Sequence, residues 1–201
     1  MKRETGQSAD VTDGVIFSGE LRTGQYSIIG NPVEPKSVCK LGSSPTIGRF
    51  CIVEAGVSIG DDFEMDDYCA VYSGAVIGNR VKLLYGKKIY PNAIVGDECI
   101  VGGNIPERCV LGDRVTFMGE VAHSHHDPTR DWNTTDEPSP EVGAGTIVGV
   151  NALIIGGIRI GHNCYISAGE VLRHDLEPGH VYFKGDIHKI EEFRGLIKTR
   201  Y

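Results

Sequence analysis

The segment GEVAHSHHDP brings three histidines into four positions, His123, His125 and His126. An imidazole titrates near neutral pH, so histidine is the usual proton carrier of active sites and a common metal ligand. A neighbouring carboxylate, Asp127 or Glu120, could orient one ring nitrogen of such a base while the other nitrogen accepts a proton. The segment therefore predicts general-base chemistry, and a solvated polar loop is the alternative interpretation.

The elements that must position these histidines follow from a repeat, because an aliphatic side chain recurs at every sixth residue over a long central stretch. A six-residue period suits neither an α-helix nor a long alternating strand. It fits short strands separated by corners, each strand sending one large side chain inward. The series consists of Leu41, Ile47, Val53, Ile59, Met65, Val71, Ile77, Leu83, Ile89, Val95 and Val101.

Aliphatic–glycine pairs also recur every 18 residues, as at Leu41-Gly42 and Ile59-Gly60. Three six-residue faces would then form one turn of a coil, and successive turns would stack in parallel. The sequence predicts an all-β fold, a parallel β-helix of hexapeptide repeats.

The repeat divides the chain into three predicted regions. Residues 1–40 lack the sixfold phase and are predicted to form a cap or an arm. Residues 41–177 form the coil, with a phase slip over 103–108 and a polar insertion at 118–141 that is predicted to protrude as a loop. The sixfold pattern then returns at Val142, Val148, Ile154, Ile160, Ile166 and Leu172.

Residues 178–201 are predicted to end the coil with a short amphipathic helix that covers its open edge. The apolar residues at near-helical spacing are Ile187, Ile190, Phe193, Leu196 and Ile197.

Composition and charge restrict the classes of partner. The formal net charge is -7, with 20 Lys and Arg against 27 Asp and Glu, which argues against general attraction to nucleic acid or to an anionic membrane. No apolar run is long enough for a spanning helix, and the basic start of the chain is not followed by a signal-peptide core. The six cysteines show no C-x-x-C spacing. A cytoplasmic protein without a disulfide framework is the resulting prediction.

The sixfold pattern, together with VTFMGEVAHSHHDPT and EVGAGTIVGVNALIIGGIRIGHNCYISAGEVLRHDLEPG, resembles the hexapeptide-repeat acyltransferases. Within that superfamily it is similar to the sugar O- and N-acetyltransferases of the galactoside, maltose and xenobiotic types. The resemblance implies a left-handed coil, a homotrimer, and acetyl-CoA or another acyl-CoA as co-substrate. It also implies that His123 is the general base, with His125 as the alternative.

The same resemblance implies that acyl-CoA lies between subunits, along coils that carry Gly149, Val150, Ala168 and Gly169. Basic residues that follow in the sequence would bind its phosphates. The candidates are Arg173, His174 and Lys189. Lys189 ends a GDIHK segment that lacks the proline of the family's usual Gly-x-Pro-x-Lys/Arg element.

The acceptor is expected to be a small molecule, a sugar or an amino sugar. Glu120, His126 and Trp132 are the candidate acceptor contacts, since an indole stacks on sugar rings and a carboxylate or imidazole hydrogen-bonds their substituents. Trp132 is the only tryptophan of the chain.

Three other interpretations remain open on the sequence alone. A cysteine could carry the acyl group, with Cys109, which lies off the inward phase, as the open candidate. The histidines could bind a metal, as in γ-type carbonic anhydrases, although matching histidines about two coils earlier are missing. The coil could also be a non-catalytic scaffold.

Overall fold

Strands of two to five residues alternate with corners along the chain and wind into a three-faced coil. The structure, a computed structural model, describes residues 2–5, 9–31, 37–124, 129, 131 and 137–197, with the backbone alone for 2–5, 31 and 194–197. Most turns give one strand to each face, and strands of neighbouring turns pair in parallel. At Ile105 on the second face and Leu176 on the third, an isolated parallel bridge takes the place of a strand. We number the faces in chain order. The first corner leads from the first face to the second, the second corner from the second to the third, and the third corner back to the first.

The first face is a sheet of eleven strands. They are β1 (Lys2–Thr5), β4 (Glu20–Thr23), β7 (Thr46–Ile47), β10 (Glu64–Met65), β13 (Lys82–Leu83), β16 (Ile100–Val101), β18 (Thr116–Phe117), β21 (Ile147–Val148), β24 (Tyr165–Ile166), β26 (His180–Phe183) and β27 (Asp186–Lys189).

The second face is divided into two sheets. The earlier sheet contains β2 (Asp10–Val11), β5 (Ile28–Asn31), β8 (Ile52–Glu54), β11 (Ala70–Val71) and β14 (Lys88–Ile89). The later sheet contains β19 (Glu120–Ala122), β22 (Leu153–Ile155) and β25 (Val171–Leu172).

The third face is a sheet of eight strands. They are β3 (Val15–Ser18), β6 (Cys39–Ser43), β9 (Ser58–Ile59), β12 (Val76–Ile77), β15 (Ile94–Val95), β17 (Val110–Leu111), β20 (Glu141–Val142) and β23 (Arg159–Ile160).

The predicted inward series is confirmed. Every member from Leu41 to Val101 is at most 5% exposed. The 18-residue register is also confirmed in this stretch, since Val76 lies opposite Ile94 and Lys82 lies opposite Ile100. Burying one aliphatic side chain per strand gives the coil a continuous apolar core along its axis.

The N-terminal segment differs from the predicted cap or arm, because its described strands belong to the coil. Phe17, Thr23 and Ile29 are buried and occupy the same six-residue series as Leu41. Thr23 is polar, which hides the phase in the sequence. Between β5 and β6 the chain is longer by six residues, so Ile29 pairs with Val53, 24 residues later.

Side chains of the next turn close the third corner. The Asp61 carboxylate accepts the Ser43 N–H at 2.6 Å, and the Asp97 carboxylate accepts the Asn79 N–H at 2.7 Å. Hydrogen bonds from these backbone N–H groups hold the pKa of Asp61 and the pKa of Asp97 below the usual value. At these two positions the third corner is therefore closed by ionised carboxylates of the next turn.

Exposed aromatic rings stack along the first corner. The ring centroids of Tyr26 and Phe50 lie 5.0 Å apart, as do those of Phe50 and Tyr68, and Tyr85 follows edge-on at 5.5 Å. At the second corner Tyr72 stacks on Tyr90 at 5.3 Å. These tyrosines lie off the inward series of the repeat, and their rings are on the outside of the coil.

The C-terminal segment begins as a hairpin rather than as a helix. Strand β27 pairs antiparallel with β26, and Lys184 and Gly185 form the turn with φ of 54° and 79°. Such two-residue turns need positive φ at both positions. The predicted helix exists as α1 (Ile190–Ile197), but Ile187 lies in β27. Among the described residues, no helix is long and apolar enough to cross a membrane.

Candidate functional site

A shortened corner places His123 outside the core. Phe117 and Val121 are consecutive inward residues only four positions apart, and Val121 lies opposite Ile154 in the next turn. Had the six-residue spacing continued, position 123 would point inward. Instead His123 follows the last residue of β19 at the second corner, and its side chain is 67% exposed.

The imidazole of His123 contacts the carboxylate of Glu137. Nδ1 of His123 is paired with Oε2 of Glu137. The other carboxylate oxygen accepts hydrogen bonds from the Ser124 N–H, at 2.9 Å, and from the Ser124 hydroxyl. The Glu137 side chain is only 6% exposed, so both of its oxygens are held by protein donors instead of water.

These contacts fix the protonation of the pair. Burial opposes ionisation of Glu137, but the hydrogen bonds from Ser124 and His123 outweigh it and lower its pKa to about 2. An ionised carboxylate can only accept hydrogen bonds. Nδ1 of His123 must therefore carry the proton, and Nε2 is the nitrogen that can accept one.

His123 and Glu137 border a cavity of about 510 Å³ on the outside of the coil. Tyr90, Asn104 and Glu120 line other parts of its wall. A volume of this size is typical of small-molecule sites. The arrangement can hold a polar ligand next to a histidine that accepts protons.

Glu120, predicted to orient the histidine or to contact the acceptor, lies in the same cavity wall as His123. Its carboxylate is 3.4 Å from Nζ of Lys87 and 3.3 Å from Nδ2 of Asn104. The carboxylate that contacts His123 in the structure is that of Glu137, which the sequence did not single out. Glu120 therefore remains a candidate acceptor contact.

Four of the predicted site residues lie outside the described part of the chain. They are the candidate catalytic residues His125 and Asp127 and the candidate acceptor contacts His126 and Trp132. Their roles stay predictions.

The predicted acyl-CoA contacts divide between separate places. Gly149, Val150, Ala168 and Gly169 come together at the first corner, where the Gly169 N–H donates to the Val150 carbonyl at 3.0 Å. Val150 is 58% exposed, and a Cβ added to Gly169 would meet no atom within 4 Å. This part of the corner is thus open to a ligand or to another chain.

Arg173, His174 and Lys189 lie elsewhere. Arg173 and His174 follow β25 at the second corner, the corner that also carries His123 two turns earlier. The His174 ring packs edge-on against Tyr182, with centroids 5.6 Å apart. Lys189 is the last residue of β27 and pairs with His180.

The cysteines offer little thiolate for covalent catalysis. All six are free and buried. Burial raises the pKa of Cys109 to about 12, and that of Cys69 and Cys99 to about 11. Only the thiolate is nucleophilic, so these thiols are inert in the folded protein.

Metal binding finds no support in the part of the chain that is described. Within it, no group of three His, Cys, Asp or Glu side chains could hold a metal ion. The interpretation involving His125 and His126 concerns residues outside that part.

Little in the sequence points to Glu137. Glu137 stands before Pro138 where the polar insertion returns to the coil, and no periodicity extends through that insertion. The corner at Met118 and Gly119 has an indication in the sequence, because the phase slip over 103–108 precedes it by one turn. In the structure the backbone of Gly103 lies against the Gly119 carbonyl with no room for a Cβ.

Comparisons with known proteins identify the fold. Neither protein-family models nor curated protein sequences match the chain. A solved perosamine N-acetyltransferase from Caulobacter crescentus, a variant in complex with CoA and GDP-perosamine, is similar at 16% identity with a TM-score of 0.51, over 89% of this chain and 95% of that chain. LpxA from Acinetobacter baumannii is 14% identical with a TM-score of 0.46, over 98% of this chain and 78% of that chain.

The first of these similarities spans nearly the whole of both chains. Its sequence identity is low, so it bears on the path of the backbone and not on shared chemistry. The three-faced coil of this protein is therefore the left-handed parallel β-helix of hexapeptide repeats, a fold that it shares with the solved perosamine N-acetyltransferase.

Proposed function

We propose that the protein is an acyl-CoA-dependent transferase that acylates a hydroxyl or amino group of a sugar or of a similar polar small molecule. The observation that carries the proposal is the contact of His123 with ionised, buried Glu137 at the edge of a cavity of about 510 Å³. Support comes also from the fold, because the similar solved protein is a perosamine N-acetyltransferase whose complex contains CoA. The acyl group is proposed to be acetyl.

Direct transfer needs few protein groups. The acceptor oxygen or nitrogen attacks the thioester carbonyl carbon while Nε2 of His123 takes the proton that it loses. The tetrahedral intermediate then expels the CoA sulfur, which receives that proton from the imidazolium and leaves as a thiol. Glu137 stabilises the imidazolium that forms between the two steps. A general base of this kind contributes a factor of about 100 to 10,000 in rate.

The acyl-CoA contacts suggest that the complete site includes a second copy of the chain. His123 lies at the second corner, whereas Gly149, Val150, Ala168 and Gly169 lie at the first. Six positions separate Val150 at the first corner from Gly156 at the second, a span of up to about 20 Å at roughly 3.3 Å per residue. We propose a homotrimer in which acyl-CoA lies between the first corner of one subunit and the histidine of its neighbour.

Basic residues complete this proposal. Arg173 and His174 at the second corner, and Lys189 in β27, are candidates for binding the phosphates of acyl-CoA. His125 remains the alternative base, and His126 and Trp132 remain candidate acceptor contacts. All six cysteines are free and buried. The cytoplasmic location expected from the sequence is part of the proposal.

A thiol-release assay with acetyl-CoA and a panel of amino sugars, nucleotide sugars and neutral sugars tests the proposal. We expect release with at least one acceptor, and a fall in kcat of about 100-fold to 10,000-fold in His123→Ala. His125→Ala is the matched comparison for the choice of base. An unchanged kcat in His123→Ala would remove that residue from the role, and no release with any acceptor would overturn the function.

A further inference from the structure

Glu137 connects the two ends of the polar insertion. Ser124 stands where the chain leaves β19, and Glu137 stands close to its return into β20. One carboxylate oxygen accepts both the N–H and the hydroxyl of Ser124, and the other is paired with Nδ1 of His123. We call Ser124 and Glu137 the clasp.

The next turn of the coil supports both halves of the clasp. The Gly156 N–H donates to the Ala122 carbonyl at 2.8 Å, and a Cβ on Gly156 would lie 3.1 Å from Cβ of Ser124. A Cβ on Gly157 would lie 2.5 Å from the Pro138 carbonyl oxygen, closer than real contacts allow. Because neither glycine has a side chain, the chain that leaves β19 and the chain that returns to β20 can both lie directly against the backbone of this turn.

The preceding turn holds the returning chain from the other side. The Ser139 hydroxyl donates to the Glu107 carbonyl, and the Val110 N–H donates to the Pro140 carbonyl at 3.1 Å. The chain that follows Glu137 is therefore attached to the rigid coil, whatever path the rest of the insertion takes. A carboxylate held in this way can fix the orientation of a side chain that is itself largely exposed.

We propose that Glu137 is the positioning residue of His123, and that Ser124, Gly156 and Gly157 hold it in place. The inference rests on the proposed function in so far as His123 is the base. Sequence alone points to Asp127 or Glu120 for this role, and the structure assigns it to a residue from the far end of the insertion.

The consequence is a defined tautomer. With a carboxylate at position 137, Nδ1 of His123 is the protonated nitrogen and Nε2 carries the lone pair. A glutamine there has an amide NH₂ that can donate to Nδ1. The proton would then move to Nε2, and the ring would present a donor where the reaction needs an acceptor.

The test compares Glu137→Gln with Glu141→Gln and Ser124→Ala in the full-length protein. Glu141 is an exposed carboxylate four residues further on, 3.6 Å from Arg159, and serves as the matched control. The ¹⁵N shifts of the His123 ring report its tautomer in the absence of substrate, and kcat and KM are measured with the acceptor that the panel identifies.

We expect Glu137→Gln to move the His123 proton from Nδ1 to Nε2 and to lower kcat by about 100-fold to 10,000-fold, with both KM values within about threefold. Ser124→Ala removes the hydrogen bond from the Ser124 hydroxyl to Glu137 and should lower kcat by about threefold to tenfold. Glu141→Gln should leave the tautomer and kcat unchanged.

An unchanged tautomer in a Glu137→Gln variant that still folds and unfolds cooperatively would overturn the assignment. So would a loss of activity that appears only as a raised KM, since that result indicates an acceptor contact. Because the tautomer is read without turnover, it separates this inference from the proposed function. A shifted tautomer in a protein that releases no thiol from acetyl-CoA would uphold the inference and overturn the function.

Discussion

Val121 lies opposite Ile154 in adjacent turns, both on the inward side, so the chain leaves the core two residues before His123. The shortened corner at Met118 and Gly119 produces this register. A chemically useful side chain is thereby displaced from a position where it would have been buried to one where it borders a cavity.

Replacing Gly119 with alanine should destabilise the fold at this corner. The new Cβ would lie 2.5 Å from the Ala152 carbonyl oxygen and 2.8 Å from Cγ1 of Val148. We expect a loss of about 1–3 kcal/mol in the free energy of unfolding, measured by urea denaturation. Gly14→Ala is the control, because its Cβ would meet nothing closer than 3.9 Å. Equal stability of the two variants would contradict the close approach at Gly119.

Acid should weaken the clasp over a definite range of pH. The pKa of Glu137 is about 2 in the folded protein and about 4.3 in an unfolded chain, so its contribution to stability is complete above about pH 5. That contribution is lost as the pH falls through the folded pKa. We expect the melting temperature of the wild type to exceed that of Glu137→Gln by on the order of 5 °C at about pH 6. The difference should vanish towards about pH 2, and a difference independent of pH would argue against ionised Glu137.

Glu120→Gln tests the acceptor wall of the cavity. The carboxylate faces the same cavity as His123 and is held by Lys87 and Asn104. Loss of one charged hydrogen-bonding group should raise KM for the acceptor by about threefold to tenfold and leave KM for acyl-CoA unchanged. Glu64→Gln, which alters an exposed ion pair on the first face, is the matched control. A rise in KM for acyl-CoA instead would place Glu120 on the donor side.

Val150→Glu tests the first corner as the acyl-CoA surface. The side chain is 58% exposed, so the substitution should change the free energy of unfolding by no more than about 0.5 kcal/mol. A new negative charge near CoA phosphates should raise KM for acyl-CoA about fivefold or more at low salt. Val76→Glu, at a third-face position with 48% exposure, should have no such effect. Identical kinetics for both variants would move acyl-CoA away from this corner.

Cys109→Ala separates direct transfer from a covalent acyl-cysteine route. Burial raises the pKa of this thiol to about 12, so the residue should serve packing alone. The variant should keep kcat within about twofold, as expected of a residue outside the reaction. It should lose on the order of 1 kcal/mol of stability through the small cavity left behind. A variant that folds but no longer releases thiol from acetyl-CoA would restore the covalent route.

Much of the coil could be predicted because burial on three faces imposes a strict six-residue spacing on Leu41 and its successors. The six-residue pattern could not be recognised where a residue other than an aliphatic one occupies an inward position. Thr23 is only 6% exposed among aliphatic residues, so a polar residue concealed the first turns. Likewise, Ile187 fits a helical face in sequence, but the Lys184-Gly185 turn folds it back into a strand.

The candidate site was harder to predict, because its contacts join residues that are not related by the six-residue repeat. The three-histidine segment drew attention to His123, which lies beside a cavity, and its catalytic role stays a prediction. Its partner Glu137 lies 14 residues away, across an insertion without repeat. The return of that insertion over Gly156 and Gly157 brings the two side chains together.

The antiparallel pairing of β27 with β26 has a consequence for assembly. The last turn of a parallel coil leaves backbone N–H and C=O groups unpaired at its edge. Another molecule could pair with that edge in the way one turn pairs with the next, and so on without limit. Reversing the direction of the last strand changes the hydrogen-bonding pattern that the first face offers beyond it. At that end of the first face, another molecule would find no edge that matches parallel pairing, which opposes growth into a fibre. Helix α1 packs beside β27.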